Sequence, residues 1–371
     1  MNHEEWAAGI WEKLCVKLEK TAARSADKLP YISVDGRYND MTEEKITWWT
    51  NGFFGGLMWL MYAGTGNELF RKLAEKSEKR LDKAFESYTG LHHDVGFMWH
   101  ITAGADYKLT GNETSFLRNI YAANLLAGRY HIKGGYIRAW NVEDMVSCSI
   151  IDTMMNISQL YWASEVTGDN RYQCIAMAHA DMAARCHVRS DGSVNHIVRH
   201  APDSEEVVEC LAGQGMDVNS SWSRGQAWAL YGFALSYIHT GNTKYLDIAK
   251  RVAHYFIAAV CADYLPRCDF RSPAEPLYYD STAGAIAACG LLEIANQVPA
   301  FEKDLYSRAA MRILKNMEEN FCDWSEEEDA ILMMGTEAYG HMARKNVPII
   351  YGDYFFAEAI YKCIGGKELF W

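Results

Sequence analysis

Asp94, within LHHDVGFMW (Leu91 to Trp99), and Asp152, within SIIDTMMN (Ser149 to Asn156), are carboxylates set in otherwise apolar segments. A carboxylate flanked by Ile150, Ile151, Met154 and Met155 costs free energy to bury unless something uses or pairs it. Asp94 stands at a helix start, where a simple capping role also accounts for it. Two carboxylates that converge on one pocket split their pKa values, and one then stays protonated near neutral pH as a general acid. Glycoside chemistry uses such a pair. Because a first-turn carboxylate is held ionised by about 0.3–1 kcal/mol, the expectation is that Asp152 is the acid and Asp94 its charged companion.

Other polar and aromatic groups gather at helix starts. NSSWSRGQAWALYG (Asn219 to Gly232) sets Trp222, Arg224, Gln226 and Trp228 together. Aromatic faces stack on sugar rings and a guanidinium binds a carboxylate bidentately, although core packing and a surface site are the plainer readings. Trp48, Trp49 and Asn51 lead into GFFGG, whose glycines fit either a close-lying ligand or close helix packing. His196, in GSVNHIV, and Gln214, in GQGMD, lie in the longest connection, where a solvated histidine is the commoner case. The adjacent His92 and His93 lack the i, i+4 spacing of helical metal ligands, so neither a metal nor a cofactor is expected. Arg344 and Lys345 precede the last helix and either meet the sugar beyond the scissile bond or form a solvated basic turn.

The elements that position these residues are helices. Four segments, TGNELF, TGNETSF, TGDNRY and TGNTKY, beginning at Thr65, Thr110, Thr167 and Thr240, each read as a helix stop followed by a helix start. Glycine ends one helix in the left-handed conformation and Asn or Asp caps the next. Helices before these turns are apolar on nearly every face, which means burial all round; those after are amphipathic and cover them. Outer helices are expected near 4–25, 67–88, 113–128, 169–187, 243–260 and 302–320, and inner ones near 50–64, 94–109, 148–165, 222–239, 281–296 and 351–364. All seven prolines fall in the connections, as a missing N–H demands. Six inner helices inside six outer ones make an all-α (α/α)6 barrel, one domain over residues 1–371, with its long loops and inner-helix N-termini on one functional face.

Composition narrows the partners. With 49% hydrophobic residues the chain can bury a large core, and a net charge of -12 repels nucleic acid and anionic membranes. An anionic sugar would then need local cations, with Arg224 as the candidate. Ten scattered cysteines without a C-x-x-C pair read as buried reduced thiols. The charged N-terminus has no signal-peptide core and no window spans a membrane, so a cytoplasmic location is expected.

The motifs WWTNGFFGG, HHDVGFM, IDTMMN, WSRGQAWALYG, YYDSTAGAIAACGLLEI and YGDYFFAEAI occur in that order over essentially the whole chain. In these it resembles the unsaturated glucuronyl hydrolases of glycoside hydrolase family 88. The resemblance implies an (α/α)6 barrel that hydrates the C4=C5 vinyl ether of a lyase-generated uronic acid at the non-reducing end of an acidic di- or oligosaccharide. It implies that Asp152 protonates C4 and helps activate water, that Asp94 is the second essential carboxylate, and that Trp48, Trp140, His196, Gln214, Arg224 and Trp228 form the substrate pocket. The unsaturated rhamnogalacturonyl hydrolases of family 105 are the nearest alternative. An epimerase using His196 and His92 as bases, or a non-catalytic sugar binder, represents other classes.

Overall fold

The computed structural model describes residues 3–87, 89–204, 206–340 and 342–371. Its helical hairpins are made at the four repeated turns. Gly66, Gly111, Gly168 and Gly241 take φ of 68°, 74°, 71° and 66°, a conformation that side chains with a Cβ avoid. The next residue, Asn67, Asn112, Asp169 or Asn242, accepts a hydrogen bond from the backbone N–H two positions on and so caps the following helix.

Among the described residues, outer helices span His3–Arg24, Glu68–Leu81, Glu113–Ala127, Asn170–Cys186, Thr243–Val260 and Ala300–Phe321. Each buries one stripe, such as Tyr245, Ile248, Ala249, Val252, Ala253, Phe256 and Val260. Inner helices begin at Phe53, Val95, Thr153, Ser223, Ser281 and Ile350. In the fourth, Ser223–Thr240, every side chain from Ser223 to Ser236 is buried. Neighbouring inner helices pack in order round a ring, the sixth lies against the first, and the first outer helix packs on the sixth inner one. This closes an (α/α)6 barrel. No helix of the described residues is long and apolar enough to cross a membrane.

Three features depart from the sequence reading. The second inner helix is interrupted by a π turn at His100–Gly104. The third starts only at Thr153, because Cys148–Ile150 is a strand paired with Ile197–His200, which in turn pairs with Val207–Leu211. The β-branched run before Asp152 finds its backbone partners across a long loop rather than along a helix, and two smaller hairpins likewise lie in connections. The cysteines are all free, but only Cys148, Cys268 and Cys289 are buried, and Cys174 and Cys261 are exposed.

The glycines after Trp49 serve packing. A Cβ on Gly52 would lie 2.2 Å from the Phe97 carbonyl oxygen and 2.6 Å from Met98 Cα, so the first and second inner helices touch there through bare backbone. Gly52→Ala should therefore destabilise the barrel by about 1–3 kcal/mol through overpacking. Urea denaturation measures this, and wild-type stability would mean that the two helices separate freely.

Candidate active site

Two adjoining cavities of about 400 and 450 Å³ lie at the face where the inner helices begin. Lys45, Trp48, Trp49, Gln214 and Arg224 line both. The first also contains Asp94, Asp152, His92, His93 and Trp140; the second contains Tyr31, Glu44, Glu337, Arg344 and Tyr351.

Asp152 is held by the strand that precedes it. Ile150 pairs with Ile197, and the Ile151 N–H donates to the His196 carbonyl at 3.1 Å, so the two loops deliver Asp152 and His196 side by side. The backbone N–H of Gln214 donates to His196 Nδ1 at 2.9 Å, and the Ala212 carbonyl lies 3.3 Å from the same nitrogen; the shorter contact places the ring hydrogen on Nε2. Nε2 lies 3.4 Å from Asp152 Oδ1, beyond good hydrogen-bond geometry, and both atoms are buried without a hydrogen-bond partner. Trp222 packs on the imidazole with ring centres 4.2 Å apart. His196 lines neither cavity but backs the carboxylate that does.

Asp94 does not cap its helix. Its oxygens lie 3.3 Å from His93 Nδ1, 3.4 Å from His92 Nδ1 and 3.4 Å from Asn156 Nδ2. Burial, then the positive Arg129 and Lys45, push His92 down to about 4, and burial with the neighbouring His92 drives His93 well below its ordinary range. Both rings are therefore neutral and supply Asp94 with no counter-charge. Burial, and after it the Asp152 carboxylate, lift Asp94 well above the usual carboxylate range. For Asp94 the effect of burial and of the neighbouring carboxylate runs against that of the helix dipole. The donor atoms of His92, His93 and Asp94 also lie within 4.8 Å of one another, a grouping that could hold a metal ion and that i, i+4 spacing could not reveal.

Arg224 is not a free cation. It is 1% exposed, its Nη1 pairs with the buried Asp280 and donates to the Thr336 carbonyl at 2.8 Å, and its Nη2 donates to the Glu337 carbonyl at 2.7 Å. Its guanidinium lies over Trp222 at 4.6 Å and Tyr351 at 5.4 Å. Gln214 Nε2 donates to the same Glu337 carbonyl. Trp228 lines neither cavity; it is buried in the barrel against Phe97 and Phe355, at 5.0 and 5.5 Å. Gln226 is likewise internal, donating to the Gly192 carbonyl at 2.6 Å. Trp48 and Trp140 do line the cavity, with Trp49 beside them. Arg344 borders the second cavity, where Glu337 pairs with it at 3.0 Å. Lys345 turns to the Gly340 and Ala343 carbonyls, at 2.6 and 3.2 Å.

Several site residues escaped the sequence reading. Asn156 had a signal: it stands four residues after Asp152 on an apolar helix, and it also accepts from the Phe97 N–H at 2.8 Å. Tyr31 and Glu337 come from distant loops and are hydrogen-bonded to each other, with nothing local to mark them.

A buried carboxylate pair at the mouth of an α/α barrel, walled by tryptophans, is arranged for acid–base chemistry on a sugar. No family model matches the chain. It is 32% identical over 374 residues to an unsaturated glucuronyl hydrolase of Bacillus sp. (strain GL1), covering 99% of this chain and 98% of that one. It is 31% identical to an unsaturated chondroitin disaccharide hydrolase of Streptococcus pneumoniae, over 88% of this chain and 84% of that one. Its structure matches that of an unsaturated glucuronyl hydrolase from Streptococcus agalactiae with a TM-score of 0.92 at 28% identity, over 100% and 94% of the two chains. The chain belongs to the unsaturated glucuronyl hydrolases, a family of glycoside hydrolases.

Two outcomes follow from the site's electrostatics. A carboxyl whose folded pKa is raised contributes stability in full below its unfolded pKa of about 4 and loses that contribution as pH rises through the folded value. Asp94→Asn, which fixes the neutral form, should match wild type in Tm near that acid limit and exceed it by about 2 °C or more in alkaline buffer. A wild type more stable than the variant at alkaline pH would contradict the raised pKa. Arg224→Met should cost about 3–5 kcal/mol because Asp280 stays buried without its cation. The double variant Arg224→Met/Asp280→Asn should recover part of this in urea denaturation, and an equal or larger loss would place the role of Arg224 outside the pair.

Proposed function

We propose that the protein removes the 4,5-unsaturated uronic acid from the non-reducing end of short lyase-generated oligosaccharides, with Asp152 and Asp94 as the catalytic pair. The observation that carries this reading is the buried pair Asp94 and Asp152, both lining one cavity, with the Asp94 carboxyl raised above its ordinary range by burial and by Asp152. The relative named for chondroitin disaccharides supports an acidic disaccharide as substrate. Trp48 and Trp140 supply flat faces for the sugar rings. The barrel is proposed to act as a single catalytic domain. A cytoplasmic setting is supported by ten cysteines of which none is bonded to another.

The chemistry needs a proton at C4 and a water at C5. Substrate that fills the cavity removes water from Asp152 and brings its own anionic carboxylate nearby. Asp94, whose proton affinity is raised by burial and by the neighbouring carboxylate, stands beside Asp152 as the source of the proton. The proton shared by the pair is delivered from Asp152 to C4, leaving positive charge on C5 and the ring oxygen. Water adds at C5 and its proton passes to the Asp152 carboxylate, so the enzyme ends as it began and one water has been consumed. The C5 hemiketal opens to a ketone, and the hemiacetal left at C1 collapses to an aldehyde with release of the shortened sugar. His196 Nε2–H faces Asp152 and steadies its ionised form. An epimerase with His92 as a base fits poorly, because an imidazole pushed down to about 4 holds a proton weakly.

Asp152→Asn should keep fold and substrate binding yet lower turnover by about 10²-fold or more. Loss of the ultraviolet absorbance of the conjugated uronate reports the reaction directly. A variant with near wild-type turnover would remove Asp152 from the proton path, and a wild-type protein that leaves the absorbance unchanged would sink the function itself.

A further inference from the structure

An anionic sugar entering a protein of net charge -12 meets cavity walls that already carry Asp94, Asp152, Glu44 and Glu337. The cations that line the two cavities are Lys45, Arg224 and Arg344. Asp280 and two backbone carbonyls occupy the guanidinium of Arg224, and Glu337 occupies that of Arg344. Lys45 differs from both. Among the described residues its ammonium has no carboxylate within ion-pair distance. It lies 4.5 Å over the ring of Trp48, and its charge reaches far enough to help depress His92 beside Asp94.

The segment that carries Lys45 is fixed although its side chain is exposed. The Lys45 N–H donates to the Met41 carbonyl at 2.9 Å, and its own carbonyl accepts from the Trp48 N–H at 2.9 Å and from Asn51 Nδ2 at 3.1 Å. An ammonium on a fixed backbone, resting on an aromatic face on the wall shared by both cavities, is placed to meet an oxyanion on a sugar stacked against Trp48.

We infer that Lys45 recognises the acidic group of the substrate and sets the enzyme's preference for anionic over neutral sugars. The inference rests on the uronyl hydrolase reading above. The oxyanion is either the uronate carboxylate or a sulfate on the adjoining sugar, and both present the same chemistry to an ammonium. Lys45 contacts substrate without taking part in proton transfer, so its loss should act on KM rather than on kcat.

The test measures kcat and KM of wild type, Lys45→Met and Lys45→Arg on three substrates: an unsaturated uronyl disaccharide, its methyl ester, and a sulfated form of the acid. Lys45→Met should raise KM for the acid about 3–5-fold, Lys45→Arg should restore most of the loss, and added salt should shrink the difference. A rise for the acid that falls below about twofold for the ester assigns the carboxylate as the contact. A rise confined to the sulfated form assigns the sulfate. Equal changes on all three substrates, or an unchanged KM throughout, would overturn the inference. Should wild type turn over none of the three, the hydrolase reading fails before Lys45 is at issue.

Discussion

Everything at the mouth of this barrel depends on how buried carboxylates are compensated at the N-terminal ends of the inner helices. A helix buried on every face has room for charge only near its ends, and four of the six begin with a buried aspartate: Asp94, Asp152, Asp280 and Asp353. Two are fully satisfied. Asp353 accepts from the Tyr38 hydroxyl at 2.6 Å and from the Leu332 N–H at 2.8 Å, and Asp280 holds Arg224 and accepts from Thr282 Oγ1 at 2.6 Å. The other two have only contacts of 3.3–3.4 Å, to imidazoles and one amide. Close hydrogen-bond and ion-pair partners separate the aspartates that hold loops from the two that face the cavity.

The same comparison redistributes the positive charges. By binding Asp280 and the carbonyls of Thr336 and Glu337, Arg224 ties the fourth inner helix, the start of the fifth and the loop before the sixth into one wall. Gln214 also donates to the Glu337 carbonyl and joins the longest loop to that wall. Breaking such a pair exposes an uncompensated charge, so Arg224 bears on the site first through shape. A wall fastened by internal ion pairs has little positive charge left for a ligand, which is why a lysine held only by its backbone and an aromatic face acquires importance.

The barrel was legible because its hairpins are encoded locally. Gly66 and Asn67, or Gly241 and Asn242, stop one helix and start the next within two residues, and the all-apolar and striped helices between such turns say which lie inside. The site was legible in part. Asp94 and Asp152 stood out as charges in apolar runs, but what surrounds them is set by long-range pairing. His196 reaches Asp152 through the register of Ile150 with Ile197, and Arg224 is neutralised by a residue 56 positions away. Trp228 was misplaced for a related reason: on a helix apolar all round, periodicity does not distinguish the face toward the mouth from the face toward the core.

The raised pKa of Asp94 was hidden from the sequence for the same reason, and the comparison has a quantitative form. A helix N-terminus favours an ionised carboxylate by about 0.3–1 kcal/mol, whereas full burial shifts a carboxyl by as much as 3–5 pKa units, each worth about 1.4 kcal/mol. The dipole wins only where the carboxylate stays wet or caps the helix. Asp94 does neither: it makes no cap hydrogen bond, and His92 and His93, which face it, are themselves held neutral. Its proton is therefore fixed by its surroundings rather than by its place on the helix. The Asp152 carboxylate opposite it adds to the cost of charging Asp94 and so acts in the same direction as burial. Two carboxyl groups whose environments differ in this way stand side by side, and hydration of a double bond requires an acid and a base.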